Sequence, residues 1–346
     1  MAFDEAPPFW WQRPGPLAFV LSPLSWIWGA GTVMRMERPP SGSVPVPVLC
    51  VGNFIAGGAG KTPTAIAIAR VAARKGYKPG FLSRGYGGQL SGPVVVSVEK
   101  HRAADVGDEP LLLIREAVTV VSADRPAGAE MLIASGCNFI IMDDGFQNPA
   151  LAKDYSLLVV DAKRGIGNGF TMPAGPLRAP LARQIGLASA VLIIGDAPGG
   201  DRVIRFAARA AKPIYIGKVT AVGKTRWRRR RVFAFAGIAD PSKLFDTLKE
   251  IGADIAGTRS FPDHHFYTDE EISDLLGKAE ETGAELVTTT KDMVRICTMG
   301  STGKSRELAE RTEVLEIRLD FEDRRTLDII IDTAAANAQA RQAALP

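Results

Sequence analysis

Apolar residues follow two rhythms along this chain. Short unbroken runs at 46–51, 79–82, 118–122, 138–142, 155–161 and 190–194 are rich in Val, Ile, Leu and Phe, and read as strands buried on both faces. Between them lie helical stretches: 64–75, closed by Gly76; 111–116, after Asp108-Glu109-Pro110; and one running from Asp124-Arg125-Pro126 to Ser135. A further strand is expected at 94–98. From Val232 the alternation resumes, with a strand at 232–238, a helix from Asp240-Pro241-Ser242 to Ile251, a capping box at Thr268–Glu271, a strand at 285–289 and an alanine-rich helix after Arg325. Strands alternating with helices predict a doubly wound, mostly parallel α/β sheet, in which ligands gather beyond the carboxyl ends of the strands. The expected division is an N-terminal segment 1–36, a larger α/β domain 37–217, a basic linker 218–231 and a smaller α/β domain 232–346.

The N-terminal segment has a different pattern. Residues 15–34 carry no charge, and Arg35 and Arg38 follow them. The stretch is long enough to cross a bilayer, but Pro23 and its glycines and serines lower its hydrophobicity. A membrane-associated helix lying in or dipping into the interface fits this composition, with Trp10, Trp11, Trp26 and Trp28 suited to head-group depth. Packing on the protein's own core is the other reading.

The first strand runs into the chain's most informative stretch, Ile55-Ala56-Gly57-Gly58-Ala59-Gly60-Lys61-Thr62, which opens an apolar helix. Strand, glycine-rich turn, Lys-Thr and helix in that order form a P-loop, so the sheet is P-loop NTPase-like. Its backbone amides and helix N-terminus suit phosphate, Lys61 suits the β- and γ-phosphates, and the Thr62 hydroxyl suits Mg²⁺. The strict pattern wants glycine at position 55, where this chain has isoleucine. Asp143 and Asp144 close a later apolar strand, the usual place for a carboxylate near Mg²⁺, and Gln147 follows. Asp108 and Glu109 admit two readings, chemistry or helix capping. His264 and His265, two of only three histidines, share a loop where acid–base work and plain surface are both open.

Bulk composition adds little. A net charge of +4 favours anionic partners, whether phosphate, lipid head group or nucleic acid. The densest charge run, Lys224-Thr225-Arg226-Trp227-Arg228-Arg229-Arg230-Arg231, reads as a solvated connector or as a surface for such partners. Cys50, Cys137 and Cys297 lie far apart, without metal-ligand spacing or a disulfide framework.

Taken together, GNFIAGGAGKTP, SRGYGG, GDEP, DDGFQ, PAGPLR, FPDHH and TKD, in that order over nearly the whole chain, resemble the tetraacyldisaccharide 4′-kinase family, the lipid A 4′-kinases of Gram-negative bacteria. The resemblance implies transfer of the ATP γ-phosphoryl group, with Mg²⁺, to the 4′-hydroxyl of a tetraacylated disaccharide 1-phosphate, the lipid A precursor. It implies work at the cytoplasmic face of the inner membrane, with the lipid and the membrane interface as partners, no nucleic acid and no obligate protein partner. It places Asp108 and His264 as a catalytic pair beside Lys61, and Thr62, Glu109, Asp144 and Gln147 around Mg²⁺. Ser83, Arg84, Arg125 and Arg178 are placed toward the substrate. Two positions depart from the family pattern: Asn148 stands where a histidine is usual, and Gly195 follows Ile194 where an asparagine is frequent. The rivals are a P-loop ATPase or GTPase switch, for which Thr290-Lys291-Asp292 is the nearest thing to a guanine-reading motif, and a nucleic-acid-binding ATPase using the arginine run.

Overall fold

A computed structural model describes residues 6–298 and 303–344. Its larger sheet has nine strands. In chain order these are β1 (Val48–Asn53), β2 (Pro79–Ser83), β3 (Val94–Val95), β4 (Val118–Val121), β5 (Phe139–Asp143), β6 (Tyr155–Asp161), β7 (Ala190–Ile194), β8 (Ile214–Ala221) and, after a long excursion, β13 (Ile317–Phe321). The spatial order is β13-β8-β7-β6-β1-β5-β2-β4-β3. Only the two outermost pairings, β13 on β8 and β3 on β4, are antiparallel. The excursion builds a second, wholly parallel sheet from β9 (Arg231–Ala236), β10 (Asp254–Ser260), β11 (Glu285–Thr289) and β12 (Thr312–Leu315), ordered β10-β9-β11-β12.

Central strands bury both faces, and alternation sorts their residues between two cores. Val48 and Cys50 of β1, with Ile140 and Met142 of β5, face the helix Arg125–Ala134. Leu49 and Val51, with Phe139 and Ile141, face the helices Lys61–Arg74 and Thr326–Ala343, which bring Ile68, Ile330 and Ile331. Each of those fully buried isoleucines contributes about 1.5–3 kcal/mol. β9 sorts its residues likewise, Phe233 and Phe235 to one side and Val232, Ala234 and Ala236 to the other.

The structure departs from the expected boundaries in three places. Residues 317–343 do not belong to the small unit: β13 and the final helix return to the large sheet. The expected linker is largely structured, since β8 runs to Ala221, Lys224–Trp227 forms a helical turn and β9 begins at Arg231. Trp227 is fully buried there, with Arg226 and Arg230 stacked on its ring, while Arg226 pairs with Glu313, Arg230 with Glu285 and Arg231 with Asp254. Those three arginines are thus paired within the domain, though Arg226 and Arg231 stay exposed. The strand expected at 94–98 shrinks to two residues.

The N-terminal helix is Pro16–Met36. It touches the protein through a narrow stripe of Ala18, Ser25, Gly29 and Met36, and exposes Val20, Trp26 and Ile27 by 72–74%. Ser25 Oγ donates to Thr171 O at 2.8 Å and accepts from Ala174 N at 3.0 Å, and a Cβ on Gly29 would lie 3.4 Å from the Pro180 ring. Length and composition suffice to cross a membrane. The two earlier tryptophans do not join that outward face: Trp10 is buried, donating to Pro173 O, and Trp11 lies under Arg164.

Candidate active site

β1 delivers the P-loop at its carboxyl end. Asn53 Nδ2 donates to Gly57 O at 2.9 Å, and the turn reverses through Gly57 and Gly60 at φ 105° and 92°. Gly60 is needed there chiefly because L side chains rarely adopt that φ, and a Cβ would also push Ile194 Cδ1 aside at 2.6 Å. Position 55 is different: Ile55 is buried and bridges Leu177, and the Ala56 amide donates to Pro176 O. Isoleucine is tolerated there because the backbone is not left-handed. The Ala56 amide is therefore spent on the seam with the 173–178 segment, into which Ile55 also packs.

The SRGYGG loop packs against the GDEP turn at backbone distance, and a Cβ on Gly107 would meet Tyr86 O at 2.4 Å. This contact sets the helix Asp108–Leu113 beside the P-loop. Asp108 is its first residue and 3% exposed; its Oδ1 takes the Glu109 amide at 3.0 Å, while Oδ2 turns to the small domain. From the small domain, His264 Nδ1 comes within 3.2 Å of Asp108 Oδ2. Burial pushes the Asp108 carboxyl up, but the hydrogen bond with His264 and the charges of Lys291 and Arg295 outweigh it and hold the group far below the usual range. The same bond raises His264. His265 turns away, stacking on Phe261 and bonding Glu271 at 2.8 Å.

Glu109 Oε1 sits 3.5 Å from Thr62 Oγ1 and 2.7 Å from Lys291 Nζ. Burial raises its pKa, and the cations Lys291 and Lys61 more than reverse that. At the end of β5 the two aspartates part. Asp144, at φ 53°, takes a two-pronged bond from Arg178 (2.6 and 2.9 Å) and lies 3.6 Å from Lys61. Asp143 is 1% exposed, and neither of its oxygens has a hydrogen-bond partner. Burial, then the charge of Glu109, push it up to about 7.

Among the residues expected around Mg²⁺, Thr62 and Glu109 face each other, while Asp144 and Gln147 are otherwise engaged. Gln147 braces Asn53 O, Gln184 and Arg178. The unpartnered carboxylate is Asp143, whereas the resemblance pointed to its neighbour Asp144. Ser83 is buried and accepts from Gly85 N, Arg84 is exposed, and Arg125 is 2% exposed with Nε and Nη1 unpartnered and its pKa lowered by burial. Asn148 closes its turn onto the Ala150 amide.

Sequence reasoning missed Lys291 and Arg295 as site residues. Both lie on the helix Thr290–Thr298 one turn apart, and they hold Glu109 and Asp108. Only the TKD motif hinted at them. A second seam joins the domains past β6, where Lys243 pairs with Asp161, Lys163 with Asp246, and Arg164 with Ala239 O. The P-loop lies between the two seams. Among the described residues no three His, Cys, Asp or Glu side chains converge into a metal cage. Mg²⁺ commonly uses one or two carboxylates with substrate phosphates and water, and the bare Asp143 carboxylate beside Lys61, Thr62 and Glu109 fits that mode.

Against known proteins, the family model for tetraacyldisaccharide-1-P 4′-kinase matches residues 17–336. The tetraacyldisaccharide 4′-kinase of Rhizobium rhizogenes is 52% identical over 339 residues, 98% of this chain and 95% of that protein. That of Agrobacterium fabrum is 51% identical over 338 residues, with 98% and 97% covered. The crystal structure of LpxK from Aquifex aeolicus, in complex with ATP, superposes with a TM-score of 0.70 at 26% identity, covering 92% of this chain and 99% of that one.

Proposed function

The chain belongs to the tetraacyldisaccharide 4′-kinase family, and from that premise we propose that Asp108, held by His264, receives the proton of the 4′-hydroxyl as the γ-phosphoryl group of ATP passes to a tetraacylated disaccharide 1-phosphate. The observation that carries this reading is the Asp108–His264 contact, made across two domains beside a P-loop. Phosphoryl transfer needs positioning and charge more than covalent chemistry. The amides from Gly57 to Gly60 cradle phosphate, Lys61 reaches the β- and γ-phosphates, and Arg178 balances the charge at Asp144. Thr62, Glu109 and Asp143 are the residues that would hold Mg²⁺, whose charge offsets that of the phosphates. Arg84, with Ser83 at the base of its loop, and Arg125 at the start of its helix serve the anionic sugar substrate. The outward apolar face of the N-terminal helix brings the site to the cytoplasmic face of the inner membrane, where a four-chain lipid stays; each buried CH₂ is worth about 0.8 kcal/mol.

The test is transfer of label from γ-labelled ATP to the tetraacyl disaccharide 1-phosphate in detergent micelles. Asp108→Ala and His264→Ala are expected to lose roughly 10²–10⁴-fold in kcat. Label appearing only as free phosphate would favour the switch ATPase, and unimpaired variants would remove the pair from the reaction.

A further inference from the structure

The acid pair has a third attachment, from a residue that the reading above leaves without a role. Arg295 is 1% exposed and its guanidinium is fully engaged. Nε and Nη2 donate to Asp108 Oδ2 at 3.1 and 2.6 Å, and Nη1 donates to Gly237 O at 2.6 Å and to Asp292 Oδ1 at 2.8 Å. Asp292, wholly buried, is itself pinned: Oδ1 takes the Gly237 amide and the Tyr267 hydroxyl, and Oδ2 takes the Thr289 hydroxyl. A planar fork held at every prong has one orientation.

We propose that Arg295 is a positioning residue for phosphoryl transfer, turning Asp108 so that Oδ1 meets the acceptor hydroxyl and seating His264 through the carbonyl of Gly237 that both residues share. The inference rests on the kinase reading. Oδ2 faces Arg295 Nε, Arg295 Nη2 and His264 Nδ1, which is all that its two lone pairs can serve. Oδ1 accepts only the Glu109 amide, at 3.0 Å, and keeps a lone pair. Gly237 O accepts both Arg295 Nη1 and the His264 amide, the latter at 3.2 Å, so one group sets both members of the pair. In the step itself the hydroxyl oxygen bonds γ-phosphorus, its proton passes to Asp108 Oδ1, and the bond to the β-γ bridging oxygen breaks with its electron pair leaving on ADP.

The experiment is the lipid-labelling assay on the full chain with Arg295→Met, Arg295→Ala and Arg295→Lys, each with KM for ATP and a melting curve. The Met and Ala variants are expected to lose roughly 10²-fold in kcat, the scale of a misplaced catalytic group, with KM for ATP unchanged. Guanidinium ion at millimolar concentration should restore Arg295→Ala saturably and leave Asp108→Ala unmoved. The lysine variant, which keeps the charge and loses the fork, should fall between wild type and Met. Wild-type kcat in the Lys or Met variant would overturn the proposal, as would a loss confined to KM. So would a folded Arg295→Ala that guanidinium does not rescue. A wild-type protein that labels no lipid would instead sink the kinase reading, whatever the variants do.

Discussion

Asp143 and Asp144 are neighbours on one strand end under opposite fields. Arg178 and Lys61 hold Asp144 ionised, while Asp143, buried without a donor, sits near 7. A carboxyl raised in the folded chain favours folding while both states keep the proton; that contribution shrinks as pH climbs from the unfolded value of 3.8 through about 7. In metal-free buffer at about pH 8, Asp143→Asn should therefore melt above wild type, by a few degrees on the scale of roughly 2–4 °C per kcal/mol, and the gap should close toward pH 4. Added Mg²⁺ should raise the wild-type melting temperature and leave the variant's unmoved. The P-loop was legible in the sequence because it is a dense local motif, whereas the residues alone left Asp108, Glu109 and His264 open and only the family resemblance gave them roles. Arg295 was not legible, because its role depends on packing between residues 187 positions apart, and no local pattern encodes that. The surroundings of the two adjacent aspartates were equally closed to sequence, since Asp143 ends the strand while Asp144 already turns away at φ 53° toward Arg178.

At the scale of elements, the N-terminal helix divides its labour by face. The stripe of Ser25 and Gly29 docks it on the 171–180 segment, and the large apolar side chains point away from the protein. Replacing Val20, Trp26 and Ile27 together by serine should weaken sedimentation with anionic vesicles by about 10³-fold or more, at roughly 1.5–3 kcal/mol for each side chain withdrawn from water, while the melting temperature holds. A variant that sediments like wild type would move membrane contact elsewhere. The same contrast of faces explains which strands could be read. β1, β5, β6 and β7 are buried on both sides and show as unbroken apolar runs. β8, β10 and β13 are partly solvated and interrupted by Gly, Lys, Arg or Asp, so nothing local separated them from loops.

For the whole molecule, the final helix is tied back to the start of the first strand. Arg341, near the end of the final helix, donates to both oxygens of Asp154 (2.8 and 3.1 Å) and to Val44 O, and Asp154 also takes the Val48 amide at the start of β1. Arg341→Ala leaves a buried carboxylate short of its charged partner, at a cost of about 2 kcal/mol and roughly 4–8 °C in Tm. A melting curve checks this, and an unchanged Tm would mean that the Val48 amide suffices for the carboxylate. The small domain, by contrast, is one continuous insertion from β9 to β12.

That closure fixes an order of events on the ribosome. β13 and the final helix are synthesised after everything they close upon, so the small domain can be complete while the nucleotide-binding domain still lacks an edge strand and a covering helix. At roughly 5–20 residues per second the gap is short, but during it the apolar face that receives Ile330 and Ile331 stands open to chaperones and to other nascent chains. A chain cut short after residue 316 would lack both the edge strand and the helix that brings Ile330 and Ile331 to the core.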